Sequence, residues 1–277
     1  MRRRGRSPLL SGPPLVGLVL TTLIAVLVVA APLLAPAEPI QVNILKKFRP
    51  PGSEFLLGSD FFGRDLLSRF LWGGQTTLLV GLGVIAAACL AGIPVGLLAG
   101  HARGWVDSVA MRLADAMLAF PSLVLAIAIA SALGPSLTNA MLAVAIAYTP
   151  QFARMARGQA LVVAALPFVE AAQAAGASGA RILAWHVAPN CIGPLAVQAS
   201  LNLGSAILAT ASLGFLGLGA QAPYPEWGAD VAASTVYVRE TPWPALWPGL
   251  GIVVSALAVN LLADGLVDWL NPRLRDR

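Results

Sequence analysis

The stretch FLWGGQTTLLVGLGVIAAACLAGIPVGLLAG, residues 70–100, carries no charged side chain and decides the fold class. A helix rises about 1.5 Å per residue, so its central part is long enough to cross the roughly 30 Å hydrocarbon core of a bilayer. Backbone N–H and C=O groups find no partners in lipid, so a stretch that crosses there must be helical. We therefore predict a membrane-spanning helix near residues 76–99.

The rest of the chain has the same character. The 277 residues are 57% hydrophobic and only 11% charged, whereas a soluble domain carries about 25% charged residues. The sequence therefore predicts an all-α, polytopic membrane protein with about six transmembrane helices. Gly134-Pro135-Ser136 separates the third span from the fourth. The five further spans are predicted near residues 15–36, 112–132, 137–155, 194–217 and 241–263.

The first apolar stretch has a competing interpretation as a signal peptide, because Ala35-Pro36-Ala37 imitates a cleavage site. The apolar run from Leu15 to Leu34 is longer than the 7–15 residues typical of a signal peptide. We therefore favour an uncleaved first helix. The predicted order is a cytoplasmic N-terminus at 1–14, a transmembrane helix at 15–36, an external segment at 37–75 and a core at 76–277 with five transmembrane helices.

The basic residues predict the orientation, because cytoplasmic segments of membrane proteins are enriched in Lys and Arg. With the N-terminus inside, 12 of the 18 basic residues lie on the inner side and 6 on the outer side. Both termini are therefore expected in the cytoplasm. The inner set is Arg2, Arg3, Arg4, Arg6, Arg103, Arg112, Arg154, Arg157, Arg181, Arg273, Arg275 and Arg277.

No nucleotide-binding P-loop is found in the sequence. That motif needs a lysine after Gly-x-x-x-x-Gly, and neither Lys46 nor Lys47, the only lysines, follows such glycines. Transport then needs either a partner that hydrolyses ATP or an ion gradient. Ion-coupled carriers have ionisable residues deep in their spans, whereas only Asp115 and Asp264 approach membrane depth. This favours an external motor and leaves an ion-coupled secondary transporter as a rival.

The remaining composition predicts no chemistry on this chain. Cys89 and Cys191 are expected at separate places, so we predict no disulfide. Two cysteines and two histidines make a metal cluster improbable, and no catalytic or metal-binding residue is predicted. The net charge of +5 comes from arginines scattered between apolar stretches, which is typical of membrane topology rather than of nucleic-acid binding.

The inner segment LPFVEAAQAAGASGARILAWHVAPN, residues 166–190, predicts a helix–turn–helix in water. Pro167 suits the first position of a helix, and Gly176 suits its C-terminal cap. Ser178 is expected to cap a second short helix, which Pro189 ends. The small alanines favour close entry into a cleft on another protein. An ordinary amphipathic connector is the alternative, and composition alone does not choose between them.

This segment also contains Gly176-Ala177-Ser178-Gly179, a match to the G-x-S-G string of serine hydrolases, with His186 nearby. A nucleophile and its base must face each other at hydrogen-bond distance. Eight residues of short helix in an aqueous loop separate Ser178 from His186. An intramembrane serine protease is therefore a weak rival.

Residues 166–190 resemble the EAA loop of the inner-membrane permeases of ATP-binding-cassette importers. Glu170-Ala171-Ala172, Gly176 and Pro189 stand at the positions of that motif, and His186 with Pro189-Asn190 resembles the peptide/nickel branch. The resemblance implies that the residues coupling to an ATPase are Glu170, Ala171, Ala172, Gly176, Arg181, His186 and Pro189.

Other stretches resemble the same branch, and the likeness covers about residues 55–275. They are LGSDFFGRDLLSR (57–69), GWVDSVAMRLAD (104–115), PSLVLAI (121–127), ASLGFLGLGAQAPYPEWG (211–228) and PGLGIVVSALAVNLLADGLVDWLNPRLR (248–275). The chain looks like the C-type permease subunit of a dipeptide/oligopeptide/nickel importer, with the type I permease fold. It departs from the pattern at Gln75, Thr76 and Thr77.

The resemblance implies a larger assembly in a bacterial-type cytoplasmic (inner) membrane. A homologous second permease would share the pathway, an external solute-binding protein would deliver peptide, nickel or a related solute, and membrane lipid would surround the spans. Two partner ATPases would bind ATP and Mg²⁺, so this chain itself would bind no cofactor.

Two further groups of residues are singled out. Gly92, Gly96 and Gly100 recur every four residues, a spacing that lets helices approach closely; we predict a packing role. Asp60, Arg64 and Asp65 lie in the external segment. They are expected either to contact the binding protein or to pair with one another.

Overall fold

The computed structural model describes residues 12–270, with side chains described as far as residue 267. Predictions for the arginines near either terminus lie outside these residues. Eleven α-helices occur in the described part of the chain: α1 (Gly12–Val29), α2 (Ala31–Leu34), α3 (Leu66–Ala102), α4 (Gly104–Leu118), α5 (Ser122–Leu133), α6 (Leu137–Ala164), α7 (Pro167–Ala174), α8 (Gly179–Ile182), α9 (Ala188–Phe215), α10 (Trp227–Ser234) and α11 (Trp243–Leu270).

The helix lengths agree with the predicted fold class. Four described helical segments are each long and apolar enough to cross a membrane, and the number rises to six if each of two bent helix pairs counts as one span. The bent pairs are α4 with α5 and α6 with α7. The fold is therefore that of an all-α polytopic membrane protein.

The third predicted span, near 112–132, was wrong as a single helix. It is split into α4 and α5, whose axes differ by 92°. The break falls just before Pro121, which has no N–H to continue the helix and disfavours a helical conformation at Phe120. The predicted break at Gly134 is present, with Gly134 at φ +87°.

Helix α3 contains the predicted span at 76–99 but begins at Leu66. Asp65 starts it, since its side chain accepts a hydrogen bond from the backbone N–H of Ser68. Its 37 residues correspond to about 55 Å, so the helix extends well beyond a bilayer core of about 30 Å. α3 therefore connects the two ends of the helix bundle.

Glycines bring α3 and α6 into close contact. An added Cβ on Gly92 would lie 2.5 Å from the Thr149 carbonyl oxygen, and one on Gly100 would lie 2.9 Å from the Ala160 Cβ. A Cβ on Gly96 would overlap the Ala153 carbonyl group. The contact positions rise together along both helices, so α3 and α6 run parallel. This is the close approach expected from the four-residue glycine spacing.

The prediction that Pro189 ends a short helix was wrong. A π-helical turn at Leu183–Val187 leads directly into α9, and Pro189 lies in the first turn of α9. The N–H of Ala188 bonds to the carbonyl of Leu183. The π-helical turn therefore ends just before Pro189, which has no N–H to donate, and the helix continues through this proline.

For the description of the site, the end of the bundle that carries residues 166–190 is called the inner end. The end that carries residues 35–65 and 216–242 is called the outer end.

Candidate functional site

The inner helix α7 ends in a Schellman cap at Gly176. The N–H of Gly176 bonds to the carbonyl of Gln173 at 2.9 Å, and the N–H of Ala177 bonds to that of Ala172 at 3.1 Å. Gly176 has φ +82°, a conformation that side chains with a Cβ rarely adopt. The predicted C-terminal cap at Gly176 is confirmed. Ser178 stands at the N-cap of α8, but its side chain makes no cap hydrogen bond.

Two apolar side chains anchor the exposed inner segment to the bundle. Val169 of α7 is fully buried, and Ile182 of α8 is nearly so. Both belong to one cluster with Val163 of α6 and with Val187 and Cys191 on the way into α9. One apolar cluster therefore ties α7 and α8 to α6 and α9.

Most of the residues expected to couple to an ATPase are exposed to solvent. Glu170, Ala171, Gly176, Arg181 and Pro189 are exposed. Ala172 and His186 are half-buried. The segment thus presents a small, alanine-rich surface to solvent, while Val169 holds it from behind.

The Nδ1 atom of His186 is buried and has no hydrogen-bond partner in the described part of the chain. Its carbonyl accepts a bond of 2.7 Å from the Asn190 side chain. Within residues 12–270 no hydrogen bond joins His186 to Ser178, and Ser178 is exposed. The pair required by a serine hydrolase is not assembled.

The inner end of α3 also reaches this segment. The Nε2 atom of His101 lies 3.0 Å from the position that a Gly179 Cβ would occupy. His101 is in the last turn of α3. The inner segment therefore touches α3 as well as α6 and α9.

At the outer end, the three residues offered as a binding-protein contact are buried and engaged within the chain. Asp60, Arg64 and Asp65 are 3%, 5% and 5% exposed. Asp60 accepts from the Arg64 Nε at 2.6 Å and from the Phe62 N–H at 2.9 Å. Asp65 caps α3 and does not pair with either. A contact with a binding protein stays a prediction that no observation tests.

Sequence reasoning missed the ion pair between Arg69 and Asp230. Arg69 on α3 is 4% exposed and hydrogen-bonds to Asp230 of α10. It also donates to the carbonyls of Pro39 at 2.9 Å and Pro223 at 3.2 Å. One guanidinium group therefore joins both outer connections to α3. The only signal in the sequence was that a basic and an acidic residue both fall in segments predicted to lie outside the membrane.

A second outer acid, Glu226, was also missed. Its side chain caps α10 by accepting from the N–H groups of Gly228 and Ala229, each at 2.8 Å, and it receives the Thr77 hydroxyl at 3.2 Å. Burial raises the pKa of Glu226 to about 7, although these donors favour the charged form. The carboxyl group therefore carries only part of its negative charge at neutral pH.

The inner end has two ion pairs between α4 and α6. Arg157 holds both carboxylate oxygens of Asp107, at 2.5 and 2.6 Å. Arg154 pairs with Asp115, and both side chains of this pair are 56% exposed. Asp115, which the sequence suggested to be near membrane depth, is thus paired and open to its surroundings.

These observations define a helical, multi-pass membrane protein with a firmly tied outer end and an exposed, anchored helix–turn–helix at the inner end. The model of the family "Binding-protein-dependent transport system inner membrane component" matches residues 92–276. The chain belongs to this family, whose members are permeases of ATP-binding-cassette importers and have a transport role rather than an enzymatic one.

Curated relatives match nearly the whole chain. A probable D,D-dipeptide transport system permease of Escherichia coli K12 is 45% identical, over 96% of this chain and 90% of its own length. A dipeptide transport system permease of Alkalihalophilus pseudofirmus is 41% identical, over 94% and 86%. A glutathione transport system permease of Pectobacterium atrosepticum is 41% identical, over 81% and 75%.

Proposed function

We propose that this chain is a membrane-spanning subunit of an ATP-driven importer of short peptides and that residues 166–190 receive the ATPase. The support for peptide transport is that relatives named as dipeptide and D,D-dipeptide permeases match more than nine-tenths of the chain. Nickel, which the resemblance also allowed, has no such support among these relatives. It is kept as the alternative solute.

The observation that carries the coupling role is the combination of exposure and anchorage in α7. Glu170 and Ala171 are exposed, whereas Val169 on the same helix is fully buried against α6 and α9. A partner that grips the exposed face can therefore move the long helices as rigid bodies. Alternating access by rigid-body motion needs this kind of mechanical connection.

The assembly follows from what this chain supplies. We infer that two ATPase subunits dock at the inner end and bind ATP and Mg²⁺, because the only lysines are Lys46 and Lys47 and neither follows P-loop glycines. A homologous permease shares the pathway, and a solute-binding protein docks at the outer end. Both termini lie in the cytoplasm, as the basic residues indicate.

The experiment compares two glycine variants in the assembled transporter. Gly176→Ala places a Cβ at φ +82° and strains the cap, whereas Gly193→Ala falls in a helix with open space around it. Glu170→Lys reverses the exposed charge in α7. We expect Gly176→Ala and Glu170→Lys to lower peptide uptake per ATP hydrolysed in proteoliposomes, while Gly193→Ala matches the wild type.

Wild-type coupling in both Gly176→Ala and Glu170→Lys would contradict the coupling role. Uptake or ATP hydrolysis by the purified chain without ATPase subunits would contradict the whole assignment. Equal uptake of Ni²⁺ in place of peptide, competing for the same binding protein, would replace the proposed solute by the alternative.

A further inference from the structure

Helix α4 pairs its acidic side chains with α6 and leaves its basic side chains unpaired among the described residues. Asp107 and Asp115 pair with Arg157 and Arg154 of α6. Arg103, immediately before α4, and Arg112 within it are exposed, and neither has an acidic partner among the described residues. The helix therefore presents an uncompensated positive charge to its surroundings.

Beside Arg112 lies an apolar stripe. Trp105, Val109 and Leu113 recur every four residues and are 78%, 50% and 63% exposed. At 100° per residue, Arg112 follows directly on the edge of this stripe. A face of large apolar side chains bordered by Arg and Trp is typical of a helix that lies at the boundary between acyl chains and headgroups.

The stripe forms one wall of a groove of about 370 Å³ between α4 and the pair α3 and α6. Apolar side chains dominate the lining, with Val95 from α3 and Pro150 from α6 on the far side. Along α4, the groove extends from Trp105 to Met117. Its chemistry fits a hydrocarbon chain.

The position of α4 fits the same occupant. It follows directly on α3 at the inner end, near His101, which touches the inner segment at Gly179. Its axis then turns by 92° into α5, which packs through Ala126 and Ala130 against α6. α4 thus lies at the inner end and departs sharply from the direction of α5, which packs into the bundle.

We propose that the face of α4 formed by Trp105, Val109, Arg112 and Leu113 binds an anionic phospholipid. The lipid phosphate pairs with Arg112, and one acyl chain lies along the apolar stripe and into the groove. Charge complementarity selects a lipid over a second apolar protein face, because the unpaired Arg112 favours an anion beside the hydrocarbon. One arginine near an anionic headgroup strengthens binding by about fivefold.

The test measures lipid preference on the purified full-length chain. Native mass spectrometry in neutral detergent compares retention of phosphatidylglycerol with that of phosphatidylcholine. We expect the wild type to prefer phosphatidylglycerol and the Arg112→Gln variant to lose about fivefold of this preference. The control, Arg181→Gln, removes another exposed arginine from the inner end and should retain the wild-type preference.

An unchanged preference in Arg112→Gln, or an equal loss in Arg181→Gln, would overturn the proposal. A second measurement keeps it testable if the Arg112→Gln variant does not fold. A fluorophore on Val109→Cys in the assembled transporter should be quenched by phosphatidylglycerol carrying a nitroxide on its acyl chain, with the wild-type chain as the blank for Cys89 and Cys191. Absence of quenching, as expected if the partner permease covers this face, would also overturn the proposal.

Discussion

The two ends of the molecule use charged side chains in opposite ways. At the outer end, Asp60, Arg64 and Arg69 are each at most 5% exposed and share a network with Asp230. At the inner end, both members of the Arg154 ion pair are 56% exposed. The outer charges are therefore shielded from solvent, whereas the inner charges are open to it.

The difference indicates that the charges at the outer end are costly to unpair, whereas those at the inner end are not. Buried ion pairs are costly to break because each partner is left without solvent, whereas exposed pairs are screened by water and salt. The inner segment is held mainly by apolar contacts at Val169 and Ile182. Such contacts are non-directional, so they can persist while α7 shifts with a partner.

Removing the central outer cation should have the largest effect. Arg69→Met leaves Asp230 and Asp60 buried without their shared partner and also frees the carbonyls of Pro39 and Pro223. We expect a loss of about 3–5 kcal/mol of stability, measured as a lowered unfolding midpoint of the chain in nanodiscs.

The matched control for Arg69→Met removes the stranded acid as well. Because replacing both partners costs less than removing one, Arg69→Met/Asp230→Leu should recover part of the loss. The network would be contradicted if Arg69→Met/Asp230→Leu were less stable than Arg69→Met by as much as Asp230→Leu alone destabilises the wild type.

The close contact between α3 and α6 should give the next largest effect, since glycines leave no room there for a side chain. Gly96→Ala places a Cβ against the Ala153 carbonyl, and we expect about 2–3 kcal/mol of destabilisation in the same unfolding assay. Gly158→Ala has open space around the new Cβ and should be neutral or slightly stabilising. Equal unfolding midpoints would show that the close packing is not needed.

Truncation of the inner anchor should have a smaller effect on global stability but a local consequence. Val169→Ala removes two buried methyl groups, worth about 1.6 kcal/mol. Hydrogen exchange should accelerate in residues 167–182 while the outer end stays protected. Ala171→Gly, an exposed change on the same helix, controls for loss of helix propensity; acceleration of the same size there would contradict the anchoring role of Val169.

The smallest effect is expected at the exposed inner ion pair. Arg154→Gln should cost at most about 1 kcal/mol, and its effect should shrink further in high salt. Stability of the wild type and of this variant is compared at low and high ionic strength. A salt-independent loss as large as that of Arg69→Met would remove the contrast between the two ends.

The apolar stretches were sufficient to predict the fold class, because the bilayer allows only helices of a limited length. The first helix of the inner segment was also predictable, since Pro167 and Gly176 act locally on the backbone. The outer ion pair was not, because 161 residues separate Arg69 from Asp230 and no local pattern indicates their contact.

Two local predictions failed for a different reason. Pro121 was visible in the sequence, but the hydrophobic stretch around it suggested one continuous span. Pro189 was expected to stop a helix, yet a π-helical turn accommodates it. In both cases the hydrogen-bond pattern around a proline, which the sequence does not specify, decided the outcome.

The most direct test is cysteine labelling of the two ends with a membrane-impermeant maleimide, using Ala174→Cys in α7 and Ser53→Cys in the external segment. The account predicts that the thiol of the Ala174→Cys variant is labelled only from the cytoplasmic side when the chain is alone and is protected when the ATPase subunits are present. The thiol of the Ser53→Cys variant should be labelled only from the outside, with or without them. Labelling of the Ala174→Cys variant from the outside, or equal labelling with and without the ATPases, would contradict the claim that this inner segment receives the motor.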